Sequence, residues 1–287
     1  MIRLKNIAVL GSENRLMATD IFYQATGSPK PVVVYVHGFN GFKDWGHFDL
    51  IANEFAEAGF VFVKFNLSHN GTTIEAPEDF ADLEAYRNNT YSKELFDIRC
   101  IIDWLLQPHE WTKEINIFQI NLLGHSRGGG DSILYTAQDD RIQSLVTWAA
   151  VTTCEAPWKK FSTARLVEWK QQGFFVYHNK RTQQEMPIGY SLYEDYQMHQ
   201  TELNIEMAIR NIKVPILICH GTLDEAVPFA AAELLKKWQP QAQLFSIESD
   251  HVFGRRHPWE APKLPEAMQK VVLRSTTFLK EIYHDEM

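Results

Sequence analysis

Cysteine is scarce in this chain, cationic clusters are missing and no apolar run is long; each shortage removes a class of function. The only cysteines are Cys100, Cys154 and Cys219, odd in number and widely spaced, so neither a disulfide framework nor a paired-cysteine metal site can be read from them. Buried free thiols are the expectation. Lys and Arg total 28 against 36 Asp and Glu, a formal net charge of −8, which offers nucleic acid or an anionic membrane none of the clustered cations that they require. No apolar stretch approaches the ~20 residues of a transmembrane helix, and the short run Ile7 to Leu10 is too weak for a secretory signal. A cytoplasmic location with no nucleic-acid or membrane partner is expected, while the oligomeric state leaves no mark on the sequence.

What is present is an ordinary globular balance, 45% hydrophobic and 22% charged residues over 287 positions, enough for a sizeable core. Two apolar runs, Lys5 to Leu10 and Met17 to Tyr23, flank Gly11 to Asn14 and predict an antiparallel hairpin at an edge. The β-branched run Val32 to Val36 predicts a strand buried on both faces. Helices are then expected near His47 to Ala58, Lys93 to Leu106, Gly128 to Ala137, Phe229 to Trp238 and Glu266 to Tyr283. Strands are expected at Phe60 to Phe65, Ile115 to Leu123, Ser144 to Ala149, Val214 to Cys219 and Leu244 to Ile247. Such alternation implies an α/β fold with a mostly parallel, doubly wound sheet and helices on both faces. The segment 151–213 is too long for one crossover and reads as a cap inserted into a core made of 1–150 and 214–287. It is expected to hold two or more helices and a small hairpin of Phe174 to His178 with Met186 to Tyr190.

Chemistry enters at Gly124-His125-Ser126-Arg127-Gly128, a G-x-S-x-G segment set between a buried strand and a helix, the context of a nucleophile elbow. Glycines at 124 and 128 permit the sharp turn that presents the Ser126 hydroxyl, and the helix N-terminus behind it favours developing negative charge. A phosphate loop would need G-x-x-x-x-G-K-[ST] or G-x-G-x-x-G, and neither is here.

A serine hydroxyl is a weak nucleophile without a base, and the base needs an acid to orient it. After the strand ending at Cys219 comes Asp224, and after the strand ending at Ile247 comes His251, both on loops at the same rim as Ser126. Glu225 and Asp250 compete for the acid role; Asp224 is preferred because Glu225 would point differently and Asp250 directly precedes the base. His37, His125 and His220 stand at strand ends beside glycines and could serve structurally, whereas others, His47 and His69 among them, read as loop or surface residues. No H-E-x-x-H spacing or other metal-ligand pattern occurs, so neither a metal nor a cofactor is expected. The segment His37-Gly38-Phe39-Asn40-Gly41 follows a strand where one oxyanion-binding amide is required, which nominates the backbone N–H groups of Phe39 and Arg127.

With HGFNGFKDWGHF, GHSRGG, LVTWAA, HGTLDEAVP and SDHVF on the page, the sequence resembles the α/β-hydrolase superfamily from about Val32 to Tyr283. Within it, these segments are similar to bacterial feruloyl and cinnamoyl esterases and to dienelactone-hydrolase-like and prolyl-oligopeptidase-like enzymes. The resemblance implies Ser126, Asp224 and His251 as a triad and Phe39 and Arg127 as oxyanion donors. It leaves substrate identity open. Arg127 departs from those esterases, which often carry methionine or glutamine there, and its side chain could meet a substrate carboxylate, the cap or a buried acid. The cap also differs in length, and its aromatics, Trp158, Phe161, Phe174, Tyr190, Tyr193 and Tyr196, are expected to pack onto the core in preference to forming an aromatic-ester pocket. Hydrolysis of small or aromatic carboxylic esters through an acyl enzyme is the expected activity, with a serine peptidase, a thioesterase or a non-catalytic binder as the competing readings.

Overall fold

The structure is a computed structural model, and it describes residues 1–284. The chain opens with the antiparallel hairpin β1 (Ile2–Leu10) and β2 (Leu16–Tyr23), then enters β3 (Lys30–Val36), α1 (Phe48–Glu57) and β4 (Val61–Phe65). There follow α2 (Leu83–Arg87), α3 (Tyr91–Leu105), β5 (Ile115–His125), α4 (Arg127–Thr136) and β6 (Ile142–Trp148). The insertion holds α5 (Thr163–Gln172), β7 (Phe174–Asn179), β8 (Gln184–Gly189), α6 (Ser191–Met198) and α7 (Ile205–Asn211). The core then resumes with β9 (Ile216–Gly221), α8 (Ala230–Trp238), β10 (Gln243–Ile247) and α9 (Glu266–His284).

Among the described residues eight strands form one sheet in the order β1-β2-β4-β3-β5-β6-β9-β10. β1, β2 and β4 pair antiparallel and every later pair is parallel. The strand period of two sends Val32, Val34 and Val36 of β3 into one apolar layer, with α3, α4 and α8. Val33 and Tyr35 enter the other, with α1 and α9. A sheet buried on both faces explains why its strands read as continuous apolar runs without alternation. Each fully buried side chain such as Phe48, Ile51 or Phe55 of α1 contributes about 1.5–3 kcal/mol. After β3 the chain moves outward to β4 and later returns on the other side as β5, so the carboxyl ends of β3 and β5 open a crevice at the switch point.

The insertion is a small subdomain with its own local signals. Ser162 caps α5 by accepting from Arg165 N, Asn204 caps α7 by accepting from Met207 N, and Gly173 ends α5 in the left-handed region at φ 77°. β7 and β8 pair Phe174 with Gly189 through Asn179 with Gln184, a hairpin slightly longer than the sequence predicts. Trp169 is buried among Trp158, Phe161, Phe175, Tyr190 and Tyr193. The insertion is fastened to α3 by Tyr91 Oη donating to Cys154 O (2.8 Å) and Ser92 N donating to Asp195 Oδ2 (3.0 Å). The short helix α2 has no counterpart in the sequence reading. His47 and His69, expected on loops or at the surface, are buried, at 3% and 1% exposure. All three cysteines are free thiols, Cys154 and Cys219 buried and Cys100 half-buried. Among the described residues no helix is long and apolar enough to cross a membrane.

Candidate active site

The turn between β5 and α4 holds Ser126 at φ 58°, ψ −119°, a left-handed conformation costly for a residue with a Cβ. Its surroundings impose it. A Cβ on Gly124 would lie 2.2 Å from Gly128 O and one on Gly128 would lie 2.3 Å from His37 O, so only glycine fits at either side of the turn. Ser126 N donates to Trp148 O (2.8 Å), while Ser126 O accepts from Gly129, Gly130 and Val151 N–H groups at 3.0–3.2 Å.

Ser126 Oγ lies 2.9 Å from His251 Nε2, and His251 Nδ1 lies 2.7 Å from Asp224 Oδ2. These groups come from three separate strand ends, so the structure brings Ser126, His251 and Asp224 together across more than a hundred residues of chain. Asp224 is fully buried, which by itself would raise its pKa. Hydrogen bonds from His220, His251 and the Val227 N–H outweigh burial and hold the carboxyl well below the usual range. Its Oδ1 also accepts from Ala226 N at 2.9 Å. An ionised Asp224 can only accept, so His251 carries its proton on Nδ1 and leaves Nε2 to take one from Ser126. Neither Glu225 nor Asp250 touches His251: Asp250 Oδ1 instead accepts from Val252 N and Gly254 N within its own turn.

The neighbouring histidines buttress this arrangement. His220 Nε2 donates to Val227 O (2.8 Å) and approaches Asp224 Oδ2 at 3.3 Å. His125 Nε2 donates to His251 O at 3.0 Å. His37 Nε2 accepts from Leu67 N (3.1 Å) and its Nδ1 donates to Gly38 O (2.9 Å); burial lowers its pKa to about 4 and keeps it neutral.

Phe39, in the loop after β3, and Arg127, the first residue of α4, flank Ser126. A Cβ on Gly38 would stand 3.0 Å from Ser126 Cβ, so the chain leading into Phe39 runs directly against the serine turn. Arg127 N opens α4 and therefore has no intrahelical acceptor, and neither it nor Phe39 N finds a protein acceptor among the described residues. The Arg127 side chain turns inward: Nε donates to buried Glu94 Oε2 (2.8 Å) and the guanidinium lies 4.0 Å over the Tyr91 ring. Of the three partners open to it from sequence, it takes the buried acid. Burial, then the charge of Glu94, push the nearby Asp131 carboxyl far above its usual range.

A cavity of about 460 Å³ lies over Ser126 and His251, walled by Tyr35, Phe42, Trp45 and Phe48 of the core. From the insertion, Tyr177, Asn179 and Arg181 reach into it. Those three escaped sequence reasoning. The one available signal was period two along β7, which puts Tyr177 and Asn179 on one face. Elsewhere, Asp20, Asp44 and Asp49 have oxygens within 4.8 Å of one another, a spacing that could hold a cation. Lys5, Lys43 and Lys64 already supply it, with ammonium groups on all three carboxylates.

The BD-FAE family model matches residues 19–239 of the sequence. The chain belongs to the BD-FAE family. Like other members of the α/β-hydrolase superfamily, this BD-FAE protein shares its fold with many solved structures. Est1E from Butyrivibrio proteoclasticus, solved with ferulic acid bound, superposes with a TM-score of 0.74 at 18% identity, covering 96% of this chain and 99% of Est1E. A protein from Agrobacterium vitis S4 gives 0.73 at 17% identity, covering 97% and 100%. Dienelactone hydrolase from Anabaena variabilis gives 0.62 at 14% identity, covering 97% and 98%. Among curated protein sequences none matches the chain.

Proposed function

We propose that this protein hydrolyses carboxylic esters of small or aromatic acids, with Ser126 as nucleophile, His251 as general base and then acid, and Asp224 as the group that orients His251 and stabilises its positive charge. The observation that carries this reading is the unbroken relay from Ser126 Oγ to His251 Nε2 (2.9 Å) and from His251 Nδ1 to Asp224 Oδ2 (2.7 Å) on a strained turn. His251 takes the hydroxyl proton as Ser126 attacks the acyl carbon. The tetrahedral oxyanion is met by the free N–H groups of Phe39 and Arg127, the latter at the positive end of α4. Proton return from His251 expels the alcohol, and water activated by the same imidazole releases the acid. Membership of the BD-FAE family and likeness of fold to Est1E and dienelactone hydrolase support ester hydrolysis over other acyl chemistry. The segment 151–213 acts as the cap, since Tyr177, Asn179 and Arg181 close one wall of the cavity.

Turnover of p-nitrophenyl esters of graded acyl length, methyl cinnamate and methyl ferulate, beside a peptide amide and an acyl thioester, tests this reading. Ester hydrolysis is expected to dominate and to fall roughly 10⁴-fold or more in Ser126→Ala. Near-normal turnover by that variant removes Ser126 from the chemistry, and a dominant amide or thioester rate reassigns the substrate.

A further inference from the structure

The cavity over Ser126 carries two guanidinium groups, Arg181 and Arg255, and among the described residues not one Asp or Glu lines it. In a chain of net charge −8 that is the reverse of the overall balance. Arg181 sits in the turn of the insertion's hairpin. Among the described residues its side chain makes no ion pair or hydrogen bond; its guanidinium carbon is 5.4 Å from the Phe42 ring centroid and 5.6 Å from that of Phe80. Asp79 reaches it only through its longer-range field. Arg255, four residues past His251, is 4% exposed and its Nε donates to Val252 O at 2.7 Å. Its terminal nitrogens, Nη1 and Nη2, are buried and face the Tyr35 hydroxyl and the longer-range field of Asp250, with no carboxylate in hydrogen-bond geometry among the described residues, and its carbon lies 5.5 and 4.8 Å from the Trp45 and Phe48 rings. Burying a cation without a paired counter-charge is costly, and among the described residues neither arginine forms an ion pair.

We propose that the cavity selects esters bearing a free carboxylate remote from the scissile bond, with Arg181 holding that carboxylate and Arg255 supplying a fixed positive field beneath it. A guanidinium fork matches a carboxylate in two parallel hydrogen bonds, and the aromatic faces behind Arg181 leave its N–H edge free to point at a ligand. Arg255 is enclosed, so its part is electrostatic, while Arg181 is accessible enough to touch. The inference rests on the reading that Ser126 is the nucleophile of an ester hydrolase, since the scissile bond is placed by that serine.

The test pairs monomethyl adipate with dimethyl adipate, the same chain with and without a carboxylate. Calorimetry on Ser126→Ala measures binding without turnover. The monoester is expected to bind about tenfold tighter, a preference that weakens with salt, collapses in Ser126→Ala/Arg181→Gln and returns in part with Arg181→Lys. Equal affinities, or no measurable binding of either ester, overturn the proposal, and a preference that survives Arg181→Gln overturns the role of Arg181. Wild-type kinetics separates the two readings. Ser126-dependent turnover without preference keeps the hydrolase and rejects carboxylate selection. Preferential binding with no Ser126-dependent turnover of either ester does the reverse.

Discussion

Asp224 illustrates how one side chain is made fit for a single charge state. Its two oxygens accept from the backbone of its own turn and from two imidazoles, so an acid that burial alone would neutralise stays ionised. The opposite treatment is given to His47. Its imidazole is buried with no hydrogen-bond partner on either nitrogen among the described residues, edge-on to Trp259 with ring centroids 4.9 Å apart. Burial, reinforced by the positive field of Arg255, holds its pKa down at about 3 from the ordinary 6.5. The unfolded chain therefore binds a proton there below pH 6.5 while the folded one does not until about pH 3, so this residue's contribution to stability is full above pH 6.5 and is lost as pH falls through that window. Replacing it by phenylalanine keeps an aromatic ring and removes the proton site. Urea midpoints measured between pH 7.5 and 4.5 should fall less steeply in His47→Phe than in the wild type, by up to about 1.4 kcal/mol per pH unit. Parallel slopes would show that His47 titrates alike in both states.

At the scale of elements, the parts legible in sequence were those whose signal is local. Val32 to Val36 had to be a two-faced strand, and the turn Gly124 to Gly128 between an apolar run and a helix needed no tertiary knowledge. The order serine, acid, histidine then followed from which loops end strands. α3 was legible as a helix, yet its buried face runs Tyr91, Glu94, Asp97, Ile98, Ile101. Two carboxylates at helical spacing on an apolar stripe were a visible sign of buried partners, and those partners, Arg127 for Glu94 and the Ser12 and Ser68 amides for Asp97, come from distant parts of the chain that spacing cannot locate. The cavity wall supplied by β7 was hidden for the same reason, because it depends on how the insertion docks. That docking centres on Trp169, 1% exposed, whose Nε1 donates to Ile188 O at 3.0 Å and so ties α5 to β8. Trp169→Ala should cost about 3–5 kcal/mol within the insertion. Hydrogen exchange should then accelerate across 151–213 while β3 and β5 keep their protection, and uniform acceleration would instead mean that the insertion and core unfold as one unit.

For the whole molecule, the antiparallel edge and the rim that carries Ser126 are joined through a single charge network. Asp20 on β2, Lys64 on β4 and Lys43 in the loop after β3 have fully buried side chains; Asp20 Oδ2 accepts from Lys43 Nζ at 2.8 Å and lies 3.2 Å from Lys64 Nζ. Asp44 and Asp49 complete it from the same loop and from α1, and Lys5 closes it from β1. The loop held in this way begins at His37 and carries Gly38 and Phe39 against Ser126, so the edge hairpin fixes one side of the site without touching it. Desolvating so many charges means that the network adds little net stability compared with apolar packing, but removing one member leaves its partners buried and uncompensated. Asp20→Asn keeps size and the bond from Asn6 N while deleting the charge that Lys43, Lys64 and, at 3.7 Å, Lys5 share. It should destabilise the protein by about 3–5 kcal/mol in urea unfolding, and a second change of Lys64 to methionine should recover part of that loss by removing an unpaired cation. If the double variant is as unstable as the sum of the two single ones, Asp20 and Lys64 act independently and the edge is held to the rim by packing alone.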